Sequence, residues 1–202
     1  MKTGTRSMSN PYLSPSLPAW RYSRTAVALH WTLAVLLIAT TALGFFMTAV
    51  EKEPGAESYF KLHMSVGIVI ALLVATRIVW RLTHPPQPLL ASVARWQVWL
   101  AGATQALIYL LIVLMPITGY LGASRSKAGV PFFGLATPRW VAPDHDTAEQ
   151  FFGIHSVLIW VLIVLVALHV AGALKHLLID RDGVFQRMGF RSQRRTASQP
   201  PP

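Results

Sequence analysis

The chain has 202 residues, 53% of them hydrophobic, with a mean hydropathy of +0.45 and a formal net charge of +10. It is too apolar for an ordinary soluble domain and too short for more than one compact membrane unit, and its basic residues flank apolar spans without forming an aromatic-interleaved stripe, which argues against nucleic acid as a partner. Cysteine is absent, which removes disulfides, thiolate iron–sulfur sites and any thiolate-held or covalently attached haem.

Residues 1–22 are polar and rich in Pro and Ser, with no apolar h-region, and read as a disordered cytoplasmic tail and not a cleaved signal. A single all-α integral membrane domain is expected over 23–182. Arg21 and Arg24 mark the aqueous edge of a first span at 26–47, which carries His30 near its start. A polar loop with Glu51, Lys52, Glu53, Pro54 and Glu57 leads to a second span at 62–81, with His63 in its first turn and Arg77 near its end. The prolines of THPPQPLL break the chain before a third span at 98–121, which has no histidine. Its MPITGY segment, with Pro116 and Gly119, predicts a kink or an early end, a matter of helix shape. In the long loop at 122–150, Phe132, Phe133 and Trp140 are expected to lie on the membrane interface. A fourth span at 151–179 carries His155 and His169, and 183–202 form a basic cytoplasmic tail.

Lys and Arg are distributed unevenly about these spans. The N-terminal side has four, the connection between the second and third spans three and the C-terminal side six, while the other two loops share five. The positive-inside rule therefore places both termini in the cytoplasm.

His155 and His169 are fourteen positions apart, which is about 21 Å along a helix and only about 40° short of four full turns, so both look into one side of the bundle. One intramembrane histidine can be structural, but two on one face, each with a counterpart at its own depth, point to cofactor ligation. His63 and His155 fall near the outer surface, His30 and His169 near the inner one. Each pair comes from two helices, as bis-axial ligation of a haem between facing helices requires. The fourteen-residue step taken from His30 reaches Gly44, where a macrocycle can approach the backbone; from His63 it reaches Arg77, placed for a haem propionate or for snorkelling to the interface. Gly67, Gly153 and Gly172 serve either ring clearance or helix packing. Lys175 and His176 fit either a propionate or quinone carbonyl or an amphipathic helix end, and His84 and His145 are expected in solvent.

YSRTAVALHW, KLHMSVG with RIVWRL, LMPITGY, and GIHSVL with ALHVAGALKH together resemble the bacterial cytochrome b561 family, over about 22–190. The resemblance implies a four-helix bundle in the bacterial inner membrane, with two haem b on His30, His63, His155 and His169 between its helices. It also implies exchange of electrons with ubiquinone, the self-contained members being similar to superoxide:ubiquinone oxidoreductases. Three readings stay open: such an oxidoreductase, a haem anchor fed by a redox protein such as a dehydrogenase or hydrogenase, and a metal transporter using intramembrane histidines.

Overall fold

The computed structural model describes residues 20–87 and 93–189, so most of the expected tails at 1–22 and 183–202 lies outside the described residues. Four long helices carry the chain: α1 (Arg24–Ala49), α2 (Glu57–Thr83), α3 (Arg95–Arg125) and α4 (His145–Lys175), the last running on through a π-helical turn at His176–Asp180. All four are long and apolar enough to cross a membrane. Their outer faces are apolar too: Ile38, Leu72 and Val157 are each more than 60% exposed, as side chains that face lipid should be.

The helices run alternately up and down. Their backbones pack α1 on α2, α2 on α3 and, most extensively, α3 on α4, whereas α4 stands apart from both α1 and α2. Leu33, Ile70, Val74, Leu111, Ile112 and Leu162 are buried together between the four helices. Gly122 of α3 lets α4 approach closely, since a Cβ there would come within 2.6 Å of the Phe152 ring.

All four helices reach beyond the spans expected from their apolar stretches, α2 already from Glu57, and for α4 and α3 the local cause is visible. α4 begins at His145 because Asp144 caps it: its carboxylate accepts from the Thr147 amide at 3.2 Å and the Thr147 hydroxyl at 2.7 Å. These two bonds hold the Asp144 carboxyl below its ordinary value of 3.8. The capping contribution is therefore complete above the ordinary Asp range and is lost as pH falls through the lower folded value. The Thr147 amide resonance should report that loss at acid pH, and Asp144→Asn, which keeps an acceptor without a titrating group, should abolish it. α3 continues through Pro116 to Arg125 without the early end that proline predicts. The Thr118 hydroxyl donates to the Leu114 and Met115 carbonyls, both at 3.0 Å, knitting the turn around the proline.

Between α3 and α4 a two-stranded hairpin, β1 (Pro131–Phe132) with β2 (Leu135–Ala136), turns through Phe133 and Gly134, whose φ angles are 45° and 86°. Phe133 is held in this unfavourable region by Ser65 of α2. The Ser65 hydroxyl is buried, accepts from the Phe133 amide at 2.9 Å and donates to the Lys61 carbonyl at 2.7 Å. At the opposite end of the bundle the chain after α4 folds back beneath α1: the Tyr22 amide donates to the Arg187 carbonyl and the Trp31 indole to the Met188 carbonyl, each at 3.1 Å.

Candidate functional site

α4 brings one histidine to α2 and another to α1. At the hairpin end the rings of His63 and His155 have centroids 6.2 Å apart at 76°; at the terminal end those of His30 and His169 are 6.3 Å apart at 71°. These spacings are chemically informative. Two imidazoles binding one metal from opposite sides, each through a nitrogen about 2 Å from it and about 1 Å from its own ring centre, have centroids about 6 Å apart. The two pairs bridge the helix pairs whose backbones stand apart, α4 with α2 and α4 with α1. They fit a planar, metal-centred group in each gap.

The seat of His155 is the most fully built. Its Nδ1 lies 3.0 Å from the Met115 carbonyl and 3.2 Å from the Thr118 hydroxyl. The carbonyl can only accept, so Nδ1 carries the proton and Nε2 keeps its lone pair for a metal. Gly119 completes the seat, because a Cβ there would stand 3.3 Å from His155 Cε1. The MPITGY segment does more than shape its helix: it supplies a carbonyl, a hydroxyl and a clearance to one imidazole. The carbonyl escaped sequence reasoning because any residue type supplies one; the available signal was the level match of Thr118 and Gly119 with His155.

Gly44 plays the matching part for His63, where a Cβ would meet the ring at 3.2 Å. Its clearance is for the imidazole itself, which differs from the close macrocycle approach expected of it. His63 Nδ1 is buried without a hydrogen bond of normal geometry, with the Thr40 backbone as its polar neighbour. Gly67, Gly153 and Gly172 face open space.

Arg77 reaches the other pair. Its Nη2 lies 3.3 Å from His30 Nδ1, its Nε donates to the Tyr109 hydroxyl at 3.1 Å and its Nη1 to the Ala26 carbonyl at 3.0 Å. A metal on His30 Nε2 requires a proton on Nδ1, which then faces Nη2 donor to donor. The Tyr109 and Ala26 bonds keep the charge in place beside the ring. Neither Arg77 nor any of the four histidines has an acidic ion-pair partner among the described residues.

The remaining candidates lie apart from the rings. His176 Nδ1 sits 2.7 Å from Asp182 and 3.3 Å from Asp180, and Lys175 pairs with Asp180. Burial acts to raise the Asp182 carboxyl, but the Val184 amide and His176 outweigh it and hold it below its ordinary value. His84 stacks on Trp80 at 4.0 Å, and His145 is the first residue of α4. At the hairpin end a cavity of about 380 Å³ opens between α2, α3 and the hairpin, lined by Lys61, Tyr120, Ser124, Thr137, Arg139 and Trp140, among others.

A four-helix membrane bundle with histidines paired at two depths defines an intramembrane redox-cofactor protein. The chain belongs to the prokaryotic cytochrome b561 family, whose model matches residues 21–191. It is 31% identical over 172 residues to "Cytochrome b561 homolog 2" of Escherichia coli K12, covering 83% of this chain and 90% of that protein. It is 27% identical over 173 residues to "Probable superoxide oxidase CybB" of Yersinia pestis, covering 83% and 95%. "Cytochrome b561 homolog 1" of E. coli K12 is 23% identical over 171 residues, covering 83% and 96%. Membership makes this a bacterial membrane haem protein of electron transfer, with haem b as the group the family implies.

Proposed function

We propose that the chain is a self-contained di-haem cytochrome b that passes single electrons from a donor outside the cytoplasm, superoxide, to ubiquinone. His63 with His155 would hold one haem b at the hairpin end, and His30 with His169 the second at the terminal end. The observation that carries this reading is the pair of 6.2 and 6.3 Å ring spacings, each built from two helices. Haem b, if held by these histidine pairs, would supply a one-electron couple suited to electron relay. The chain's own residues fix the His155 tautomer and hold the pairs about 21 Å apart in depth.

The uneven distribution of Lys and Arg supports cytoplasmic termini and an outward-facing hairpin end. Arg139 in the outer cavity, whose guanidinium donates to the Ser126 and Lys127 carbonyls, provides a local positive field toward which a small anion would drift. A haem-anchor role is supported by the exposed Phe133, Leu135 and Trp140, an apolar surface on which a redox partner could sit. Metal transport has less behind it. Each ring pair offers two nitrogens, and the only metal-capable group of three among the described residues, His176 with Asp180 and Asp182, lies elsewhere.

The test is the reduced-minus-oxidised visible spectrum of the purified protein with its haem stoichiometry, followed by a superoxide source with and without ubiquinone. Two b-type haems, reduced rapidly by superoxide and reoxidised by ubiquinone, are expected. Two haems indifferent to superoxide would favour the anchor role, and no haem would overturn the reading.

A further inference from the structure

We infer that the neighbours of the two ring pairs tune them apart, making the His63–His155 centre the weaker electron acceptor and the His30–His169 centre the stronger, so that electrons run downhill from the hairpin end to the terminal end. This rests on each pair holding a haem iron, as proposed above, and concerns what the surrounding residues do to that iron.

At the hairpin end the tuning is electron-donating. His155 gives its Nδ1 proton to the Met115 carbonyl, with the Thr118 hydroxyl beside it. An imidazole that donates to a carbonyl becomes the more basic ligand and stabilises the oxidised metal. The nearest cation along α2, Lys61, is solvent-exposed and paired with Glu57 at 3.2 Å, so it adds little net field.

At the terminal end the tuning is electron-withdrawing. His30 has a guanidinium where His155 has a carbonyl. Tyr109 and the Ala26 carbonyl, both neutral acceptors, pin Arg77, so its positive charge is uncompensated in a low-dielectric setting and favours any centre that gains an electron. Asp180 and Asp182 act against this from beyond His169, but they lie near the aqueous edge, where Asp180 is paired with Lys175 and Asp182 is hydrogen-bonded by His176. The two effects have opposite signs at opposite ends and so add in the difference. The chain thereby builds a direction into a pair of otherwise similar bis-histidine sites.

Redox titration of the purified haem-loaded protein, followed in the visible band, tests this. Two one-electron waves are expected, with the stronger centre favoured at least about tenfold, or about 59 mV. Arg77→Gln should lower only the upper wave, and Arg77→Lys, which keeps the charge, should leave it near its original position. Thr118→Val, which removes one acceptor from His155, should raise only the lower wave. Coincident waves in the parent protein, an Arg77→Gln shift confined to the lower wave, or a Thr118→Val shift confined to the upper one would each overturn the assignment. Should Arg77→Gln fail to fold, Arg77→Lys together with Thr118→Val carries the test: a lower wave that Thr118→Val lowers or leaves unmoved, or an upper wave displaced by Arg77→Lys, overturns the assignment. A parent protein without two haems would show itself in the stoichiometry before any titration, and would count against the proposed function instead of the tuning.

Discussion

Purified His155→Ala protein is expected to carry one haem against the two proposed for the parent, and to lose the lower-potential wave with it. The prediction follows from the pairing: His155 shares its gap with His63 alone, at 6.2 Å, and His30 and His169 face each other at the far end of the bundle. His63→Ala should lose the same haem, and His30→Ala or His169→Ala the other. Outer-shell partners alone typically contribute about 10–100-fold in metal affinity, so loss of an axial nitrogen should cost more than that. Haem stoichiometry together with the surviving redox wave gives the readout. If His63→Ala and His169→Ala removed the same haem, the depth pairing would be wrong.

The second large effect needs no change to any histidine. Gly119→Val is expected to reproduce the His155→Ala spectrum with the helical circular dichroism intact. A Cβ at this position already stands 3.3 Å from His155 Cε1 and 3.4 Å from Nδ1, and the branched valine carries two methyls further into the same space. The ring cannot yield without leaving the Met115 carbonyl that fixes its tautomer. Gly119→Ala, which asks the ring to give only a few tenths of an ångström, should weaken haem retention without abolishing it. Gly102→Val, where a Cβ would meet nothing within 4 Å, is the control and should retain both haems. Full haem content in Gly119→Val would mean that the seat is far softer than its contacts imply.

The same residues show where the sequence is legible and where it falls silent. Hydropathy and Lys/Arg flanks mark four spans because lipid imposes length and composition directly on a helix. The fourteen-residue step places Gly44 at the level of His63 and Arg77 at that of His30, because helical rise converts sequence spacing into depth; the structure has these residues in contact. The Met115 carbonyl leaves no such trace, since every residue has one and only packing decides which carbonyl meets an imidazole. Pro116 carries a strong helix-ending signal that the neighbouring Thr118 hydroxyl and the packed bundle override. The start of α4 at His145 was written in Asp144 and Thr147, a capping signal that a reading guided by hydropathy passes over. His176 meets Asp182 across a π-helical turn and a left-handed Arg181, a path that α-helical periodicity does not anticipate.

The buried cluster of Leu33, Ile70, Val74, Leu111, Ile112 and Leu162 has a bearing on bioenergetics. Its six side chains carry no ionisable group, and an electron relayed between the two proposed centres passes this level as a bare charge unless a proton is carried beside it. Such a crossing is electrogenic, and the membrane voltage does work on it of about 2.3 kcal/mol per elementary charge per 100 mV for a full traverse. An electron moving inward travels toward the negative side of an energised cell membrane. The voltage therefore acts as a brake on the proposed flow, and proteoliposomes should run faster when an ionophore collapses their potential.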